Sequence, residues 1–395
     1  MKALFKLLIL LVVTALCSCE ESQQPESGEL VLRLQFDNDN APLFKSETLT
    51  VTLVSNEGIV YTYNVPLQEK IAIRVSSGIY NIMASVKYSS DNIMHFFRGQ
   101  LSEVILQNSE SIECDISMTH SQSGQILISE IYFSGCVGAS GKTYFDDQYL
   151  ILHNNSSDTA YLDKLCLGYV YPLRATNRSP FIDYFEDRSV VSNFLWQFPG
   201  RGQDFPLAPG DDAVVAPNCV NHIALGNSES VDLSKEGYWA CYDANANLIK
   251  QSPPATPDKR MLNLLWSYGA ATSCVSSILD PAFVLFKIKG DEGVYLNEYA
   301  THNPQSPSST AVFMGVPYSW VYDAVECFDA VNRYKRLTSA VDGGFALQNK
   351  GSASGTSVRR KIDVEATAQM GITVYYDTNN STHDFEMCYP PTLKE

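Results

Sequence analysis

The short motifs that usually carry catalysis or metal binding are missing from this 395-residue sequence. It has no His-Glu-x-x-His pair, which excludes the helix of a zinc protease. It has no Gly-x-Ser-x-Gly elbow, because residues 351–355 place Ala353 at the nucleophile position and are typical of a loop. Cys-x-x-Cys pairs, phosphate-binding loops and dinucleotide fingerprints are absent too. We therefore predict no catalytic residue, no metal site and no cofactor.

Basic residues are also scarce. The chain has 28 Lys and Arg against 44 Asp and Glu, a formal net charge of −16. A polyanion such as nucleic acid would be repelled at long range by this excess of negative charge. The charge therefore excludes nucleic acid as a partner, and it identifies no other ligand.

One hydrophobic run is present at the start, and it is too short to span a bilayer. Lys2 and Lys6 precede the apolar residues 7–16, the pattern of a signal peptide. The following Leu16-Cys17-Ser18-Cys19 resembles a bacterial lipobox, which implies cleavage after Ser18 and lipid attachment to Cys19. We predict a signal peptide at residues 1–18 and a flexible, acidic tether at residues 19–27.

The resemblance to a lipoprotein implies a membrane partner, reached through the N-terminal lipid. The acidic tether also resembles the surface-export signal of Bacteroidetes lipoproteins. This favours an outer-membrane lipoprotein displayed on the cell surface, with a periplasm-facing protein as the alternative.

Cysteines other than the two in the lipobox number eight, an even count in an oxidising compartment. They allow 105 disulfide connectivities, and the sequence does not choose among them. Buried free thiols are the alternative. The eight are Cys114, Cys136, Cys166, Cys219, Cys241, Cys274, Cys327 and Cys388.

Short runs with alternating apolar residues predict strands in the first third of the chain, at residues 30–36, 48–54, 60–65 and 71–75. A turn and a further strand follow at residues 76–88. There, Gly78-x-Tyr80-x-Ile82-x-Ala84 resembles a strand of transthyretin-like and carboxypeptidase-regulatory-like domains. The resemblance implies a seven-stranded antiparallel β-sandwich over residues 28–119. A linker near residues 119–124 is predicted to end it.

The remaining chain, residues 124–392, carries four sequence blocks that agree in order with the lamin-tail domain, an immunoglobulin-like sandwich. The blocks lie near residues 128–132, 147–163, 205–211 and 357–385. The whole chain is similar to an uncharacterised family of Bacteroidetes lipoproteins built on this domain. The predicted fold is therefore all-β, with two β-sandwich domains.

Two segments, about 168–205 and 218–319, exceed the length of a lamin-tail domain and are predicted to be long insertions. Irregular insertions on a rigid sandwich commonly carry function. Trp196 and Phe198, close to Arg201, could form a platform that stacks against a sugar or another flat ligand. The alternative is that the two rings cover the core of the sandwich.

Clustered carboxylates are interpreted as turns. Residues 37–40 begin like a calcium loop, but Pro42 and Thr48 stand where an EF-hand requires Gly and Glu. The Asp146-Asp147 and Asp211-Asp212 pairs adjoin turn sequences. His153 and His383 are predicted to have turn or capping roles.

These observations favour a lipid-anchored, non-catalytic binding protein of the cell envelope. It would capture a ligand or partner, such as a glycan, through the inserted segments, and could serve an outer-membrane transporter. The alternatives are a secreted hydrolase whose site the motifs do not reveal, and a structural or adhesion component of the surface. The sequence leaves the oligomeric state open.

Overall fold

The computed structural model describes residues 27–36, 47–57, 59–90, 93–108, 110–185, 187–244, 252–267, 275–338 and 340–394. Contacts divide the chain into two units. One comprises Met1–Lys87 with Phe97–His120, and the other comprises Tyr88–Phe96 with Ser121–Glu395. Strands predominate in both, and the prediction of an all-β fold is confirmed.

The N-terminal unit is built on one sheet of seven strands. These are β1 (Ser27–Phe36), β2 (Thr48–Ser55), β3 (Val60–Pro66), β4 (Lys70–Ser76), β5 (Gly78–Ser90), β6 (Ile93–Leu106) and β7 (Ser111–Gly124). Their order is β3-β2-β5-β6-β7-β1-β4. β1 pairs antiparallel with β4 but parallel with β7, so the predicted purely antiparallel arrangement is wrong at this pair.

This sheet cannot be flat, because its two edge strands are neighbours in sequence. Six spacings of about 4.8 Å would separate β3 from β4 by about 29 Å. Residues 67–69 connect them and span no more than about 15 Å. The sheet therefore curls until the edges approach, and the Tyr63 hydroxyl lies 3.5 Å from the carbonyl oxygen of Arg74.

Alternation along the strands supplies the core of this unit. In β4, Ile71, Ile73 and Val75 are buried, while Lys70 and Arg74 face solvent. The predicted linker near residues 119–124 is not a separate loop, because β7 continues through it to Gly124.

The second unit contains nineteen strands among the described residues. They are β8 (Ile126–Tyr132), β9 (Cys136–Val137), β10 (Thr143–Tyr144), β11 (Tyr149–Asn154), β12 (Ala160–Tyr161), β13 (Leu165–Val170), β14 (Arg188–Gln197), β15 (Pro206–Leu207), β16 (Asp212–Ala216), β17 (Trp239–Ala240), β18 (Arg260–Met261), β19 (Asn263–Ser267), β20 (Ala282–Lys287), β21 (Ala300–His302), β22 (Val312–Pro317), β23 (Val321–Phe328), β24 (Ala346–Leu347), β25 (Ser357–Arg360) and β26 (Phe385–Cys388).

Two large sheets organise these strands. Sheet A has the order β18-β17-β16-β11-β8-β25-β26, and sheet B has the order β21-β22-β14-β13-β20-β23-β24, with β19 paired to β14. The segments 168–205 and 218–319 supply β14, β20 and β22 to sheet B. They are therefore not simply irregular insertions, as the sequence predicted, because much of one sheet is made from them.

The core between the sheets combines Ile128 and Leu152 of sheet A with Leu167, Trp196 and Leu285 of sheet B. Each sheet also has a second apolar layer on its other face, around Tyr149 and Val214 in sheet A and around Val191 and Val284 in sheet B. Because both faces are covered, β8, β11 and β13 are buried at every position.

Helices are short in the described part of the chain: α1 (Glu292–Glu298), α2 (Val364–Met370) and α3 (Ser381–Asp384), with a 3₁₀ turn at Tyr318–Trp320. Asp291 caps α1 by accepting a hydrogen bond from the Val294 amide, and Asp363 caps α2 in the same way. None of these helices is long and apolar enough to cross a membrane.

One of the turn predictions needs correction. His153 lies inside β11 and is buried, with Nδ1 2.7 Å from an Asp212 carboxylate oxygen and Nε2 2.9 Å from the Thr373 carbonyl oxygen. Asp146 and Asp147 both lie in a turn, as predicted, although Asp146 is exposed and Asp147 is buried. His383 lies in α3, and residues 37–40 are outside the described residues.

The structure favours buried free thiols over disulfides for several of the cysteines. Cys136, Cys166, Cys327 and Cys388 are buried thiols outside any disulfide. Burial raises the pKa of the Cys166 thiol to about 12, so it stays protonated and acts as a small apolar side chain. Cys274 lies outside the described residues.

Candidate functional site

A cleft of about 620 Å³ opens in the second unit, within the range of small-molecule sites. Loops from distant parts of the sequence line it: residues 144–146 after β10, Arg174 after β13, residues 218–225 after β16, and residues 275–278 before β20, together with Ser252. We call this set of residues the cleft. Most of its wall comes from the two segments in which the sequence analysis placed function.

Arg174 is held in the cleft by a buried carboxylate. Its Nε donates to Asp280 at 2.8 Å, and the Asp280 side chain is fully buried while that of Arg174 is 47% exposed. The amide of Ala175 and the hydroxyl of Ser277 also donate to Asp280, at 2.9 and 2.6 Å. Within the described part of the chain, Nη1 and Nη2 of Arg174 have no protein partner. The guanidinium is thus positioned at one end and open at the other.

The wall beside Arg174 is fixed by a buried glutamine. The side-chain oxygen of Gln148 accepts from the Ser276 amide at 2.6 Å, and its Nε2 donates to the Phe133 carbonyl at 2.8 Å. Gln148 therefore ties residues 275–278 to the edge of the core. The next residue, Ser277, fixes the turn that leads to Asp280, because its hydroxyl oxygen accepts a hydrogen bond from the Asp280 amide at 3.2 Å.

Tyr144 and His222 form another part of the wall. His222 Nε2 lies 3.0 Å from the Asn218 carbonyl oxygen, which can only accept, so this nitrogen carries a proton. Burial lowers the pKa of His222, so the ring is neutral at pH 7 and Nδ1 is an acceptor. The Tyr144 hydroxyl, 2.6 Å away, therefore donates to Nδ1. Both ring nitrogens are occupied, and the lone pairs of the Tyr144 oxygen remain available.

Behind this wall lies a second buried carboxylate, Asp147. One oxygen accepts from Ser230 at 2.6 Å and from Tyr132 at 3.3 Å. Burial raises the pKa of Asp147, with the Ser230 hydrogen bond opposing that shift. The group helps to support the 144–149 loop from inside.

Among the described residues, two formal charges belong to the lining of the cleft: Arg174, already paired with Asp280, and Asp146, which is exposed. Among the described residues, no three His, Cys, Asp or Glu side chains are grouped so that they could hold a metal ion. The arrangement offers directed hydrogen bonds and a limited apolar surface.

The predicted stacking platform does not exist in this structure. Trp196 is 4% exposed and Phe198 is fully buried, and both belong to the core between the sheets. Phe198 packs edge-on against Trp239, with ring centroids 5.0 Å apart. The cavity beside Trp196 has about 30 Å³, enough for a water molecule. Neither ring presents a face to a ligand, and the platform is a wrong prediction.

Arg201 is exposed and separate from the cleft lining. Its loop is ordered by Asp163, which accepts the amides of Gly202, Asp204 and Phe205, each at 2.8 Å. Gly200 has a φ of +119°, and a Cβ there would lie 2.2 Å from an Asp163 oxygen. Cys19, the predicted lipid site, lies outside the described residues.

Residues 208–392 match the model of a family described as a protein of unknown function, DUF4876. The second half of the chain is similar to this family. The match includes the cleft loops 218–225 and 275–278 but not Tyr144 or Arg174. None of the curated proteins matches the chain.

A crystal structure of a DUF4876 family protein from Bacteroides thetaiotaomicron VPI-5482 shares the fold. It is 24% identical, with a TM-score of 0.60, and the match covers 91% of this chain and 94% of that one. A candidate adhesin from Bacteroides ovatus ATCC 8483 aligns over 68% of this chain and 80% of its own, at 8% identity and a TM-score of 0.22. The predicted uncharacterised Bacteroidetes family agrees with the first of these likenesses.

The sequence analysis did not identify Arg174, Asp280, Gln148, Tyr144 or His222. They come from four separate parts of the sequence, and Arg174 and Asp280 are more than a hundred residues apart. A local signal exists at Ser277-x-x-Asp280, where a serine and an aspartate three residues apart form a side-chain turn. Such a turn indicates a loop and says nothing of its distant partner.

Proposed function

We propose that this chain is a non-catalytic ligand-binding protein of the cell envelope, and that the cleft is its binding site. The observation that carries the proposal is the state of Arg174. A fully buried aspartate positions its Nε, and its two terminal nitrogens have no protein partner among the described residues, in a cleft of ligand size. A preorganised donor of this kind costs little entropy when it binds a ligand.

The hydrogen bonding of the cleft favours binding over catalysis. A general base needs a free lone pair within reach of substrate. Both nitrogens of His222 are engaged with Asn218 and Tyr144, and the ring is buried. The hydroxyl of Ser277 donates to Asp280, and that of Ser276 donates to the Ser277 carbonyl. Asp280 also accepts from Arg174 and from the Ala175 amide, so it is a structural acceptor that orders the loops of the cleft.

The proposal is tested by a stability screen of the full chain, purified in detergent and followed by its intrinsic fluorescence. The panel consists of oligosaccharides, peptides, nucleotides, haem, siderophores and divalent cations. A ligand at a hundred times its dissociation constant should stabilise the fold by about 2.7 kcal/mol. Arg174→Gln should abolish that shift.

Arg178→Gln is the matched control, because Arg178 lies on the same loop and pairs with Asp183 in full view of solvent. It should leave the shift unchanged. If no compound stabilises the protein, or if Arg174→Gln and wild type respond equally, the cleft is not the binding site and the proposal fails.

We propose further that Cys19 is acylated and anchors the protein at the outer membrane. The basic start, short apolar run and lipobox-like Leu16–Cys19 support this. Labelled palmitate should be incorporated by the wild type and not by Cys19→Ser, with Cys114→Ser as the control. Incorporation that survives Cys19→Ser would contradict the anchor.

A further inference from the structure

We propose that the cleft binds an uncharged, polyhydroxylated ligand, of the kind a neutral oligosaccharide presents, in preference to acidic or basic ligands. This inference rests on the proposed function, since it names the ligand class for the same site. Three properties of the lining carry it: its charges, its hydrogen-bonding groups and its apolar rim.

The charges of the cleft disfavour ions of either sign. Asp280 offsets the charge of Arg174 at 2.8 Å, whereas the exposed Asp146 has no basic partner among the described residues. Asp146, Asp147 and Asp232 all act on His222 in the sense that favours its cation, which indicates a negative field at that wall. An anion would be repelled there, and a cationic group, which only donates, could not accept the hydrogen bonds that Arg174 offers.

The hydrogen-bonding groups of the cleft include donors at Arg174 and acceptors at the wall that Tyr144 and His222 form. Arg174 contributes two open Nη groups, which can only donate. The Tyr144 hydroxyl donates its proton to His222, so its oxygen can only accept a hydrogen bond from a ligand. The Asp146 carboxylate is an acceptor as well. A hydroxyl group donates and accepts, so a polyol can satisfy both walls at once. A ligand that only accepts, such as a carboxylate, would satisfy Arg174 alone.

Apolar side chains complete the cleft at its rim. Phe145 is 41% exposed and Leu225 is 65% exposed, and both belong to the lining. A pyranose ring carries C–H groups on its faces as well as hydroxyls on its edge. The aromatic and aliphatic rim can cover those faces while the two walls bind the hydroxyls.

The test compares ligands that have the same size and different charge. The full chain is titrated calorimetrically with neutral trisaccharides (maltotriose, cellotriose, mannotriose), with trigalacturonic acid and with the trimer of glucosamine. At least one neutral trisaccharide should bind, and both charged trimers should bind at least tenfold more weakly. The neutral affinity should also change little between 50 and 500 mM salt, because no net charge is neutralised on binding.

Asp146→Asn sharpens the result. Removing that charge should improve binding of trigalacturonic acid several-fold, whereas the neutral trisaccharide loses a charged acceptor and should bind more weakly. Asp183→Asn, an exposed aspartate outside the cleft, should change neither affinity. Equal melting temperatures of the two variants will show that both are folded.

The outcomes separate this inference from the proposed function. If a charged trimer binds best and Arg174→Gln abolishes that binding, the cleft is a binding site and the neutral-ligand inference is wrong. If none of the five trimers binds, the inference is also overturned. If a compound of another class then stabilises the protein in an Arg174-dependent manner, the proposed function still stands.

Discussion

Two arginines of the second unit make the same kind of bond in opposite surroundings. Arg360 is sealed in the interior, where its Nη2 bonds Asp323 at 2.8 Å, its Nη1 lies 3.2 Å from Asp384 and its Nε donates to the Ile128 carbonyl. Arg174 bonds one buried aspartate and leaves its terminal nitrogens in the cleft. All three nitrogens of the Arg360 guanidinium are hydrogen-bonded to buried groups, and these bonds link β8, β23 and β25. The terminal nitrogens of Arg174 can still donate hydrogen bonds to a ligand.

The largest effect is expected from Arg360→Met. The substitution leaves Asp323 and Asp384 buried without their cation, and breaking a buried pair in this way costs about 3–5 kcal/mol. Burial already raises the pKa of Asp323 to about 6 although Arg360 opposes the shift, so the loss of Arg360 would favour the protonated acid still further. Urea unfolding of the two proteins measures the difference.

The neighbouring Arg359→Met is the control, because Arg359 is partly exposed and lies 3.7 Å from Glu386. It should cost no more than about 1 kcal/mol. Arg174→Gln should cost less than Arg360→Met, because the Ala175 amide and the Ser277 hydroxyl still donate to Asp280. Equal losses at Arg360 and Arg174 would remove the contrast between a sealed and an open arginine.

A second effect concerns pH at another sealed carboxylate, Asp342. Burial raises the pKa of this group to about 6, against the lowering effects of Lys335 and of hydrogen bonds from Ser381 and Gly344. A folded-state pKa above the unfolded value of about 3.9 means that the folded protein binds the proton more tightly. Stability from this group is therefore largest at low pH and is lost as pH rises from about 4 to 6.

Asp342→Asn removes this dependence. The stability of the wild type relative to the variant should increase by about 1 kcal/mol between pH 7 and pH 5. Other titrating groups act on both proteins alike, so their contribution cancels in the difference. A difference in unfolding free energy that stays constant across this range would show that Asp342 does not titrate there.

Much of the N-terminal sheet could be predicted from sequence, and the reason is physical. β4 buries one face, so Ile71, Ile73 and Val75 alternate with Lys70 and Arg74 and the pattern is visible. β13 and β20 are covered on both faces and show no such alternation. Their region was therefore interpreted as inserted loops, although it supplies the interior of sheet B.

The site was harder to predict than the fold. Trp196 attracted attention because aromatic residues beside Arg201 resemble a binding platform, but an apolar ring fits a core equally well. The polar residues of the cleft are of common types, and they form a site only because the fold brings distant loops together. Asp280 shows this clearly, since its burial and its bond to Arg174 depend on two segments that the sequence separates.

A smaller effect on stability is expected from a substitution of Tyr144. Tyr144→Phe keeps the ring but leaves the buried Nδ1 of His222 without its donor, which costs about 1 kcal/mol or slightly more. Tyr184→Phe, at a 64% exposed position, should be neutral. Thermal unfolding of both variants measures this. If Tyr144→Phe left the stability unchanged, a water molecule would replace the hydroxyl. The Tyr144 hydroxyl would then not be held in the orientation in which it donates to His222 and accepts from a ligand.

The smallest effect, close to zero, is expected from Arg201→Ala, and it decides which arginine belongs to the site. The loop that carries Arg201 is held through its backbone, because Asp163 accepts three amides and the Arg201 amide itself donates to Asp204 at 3.0 Å. Removing the side chain leaves all of these bonds in place, so both stability and ligand affinity should match wild type. Asp163→Ala, in contrast, should destabilise by about 1–3 kcal/mol because buried amides lose their acceptor. If Arg201→Ala abolished ligand binding while Arg174→Gln did not, the binding surface would lie on the 200–205 loop, and Arg174 would be another structural arginine like Arg360.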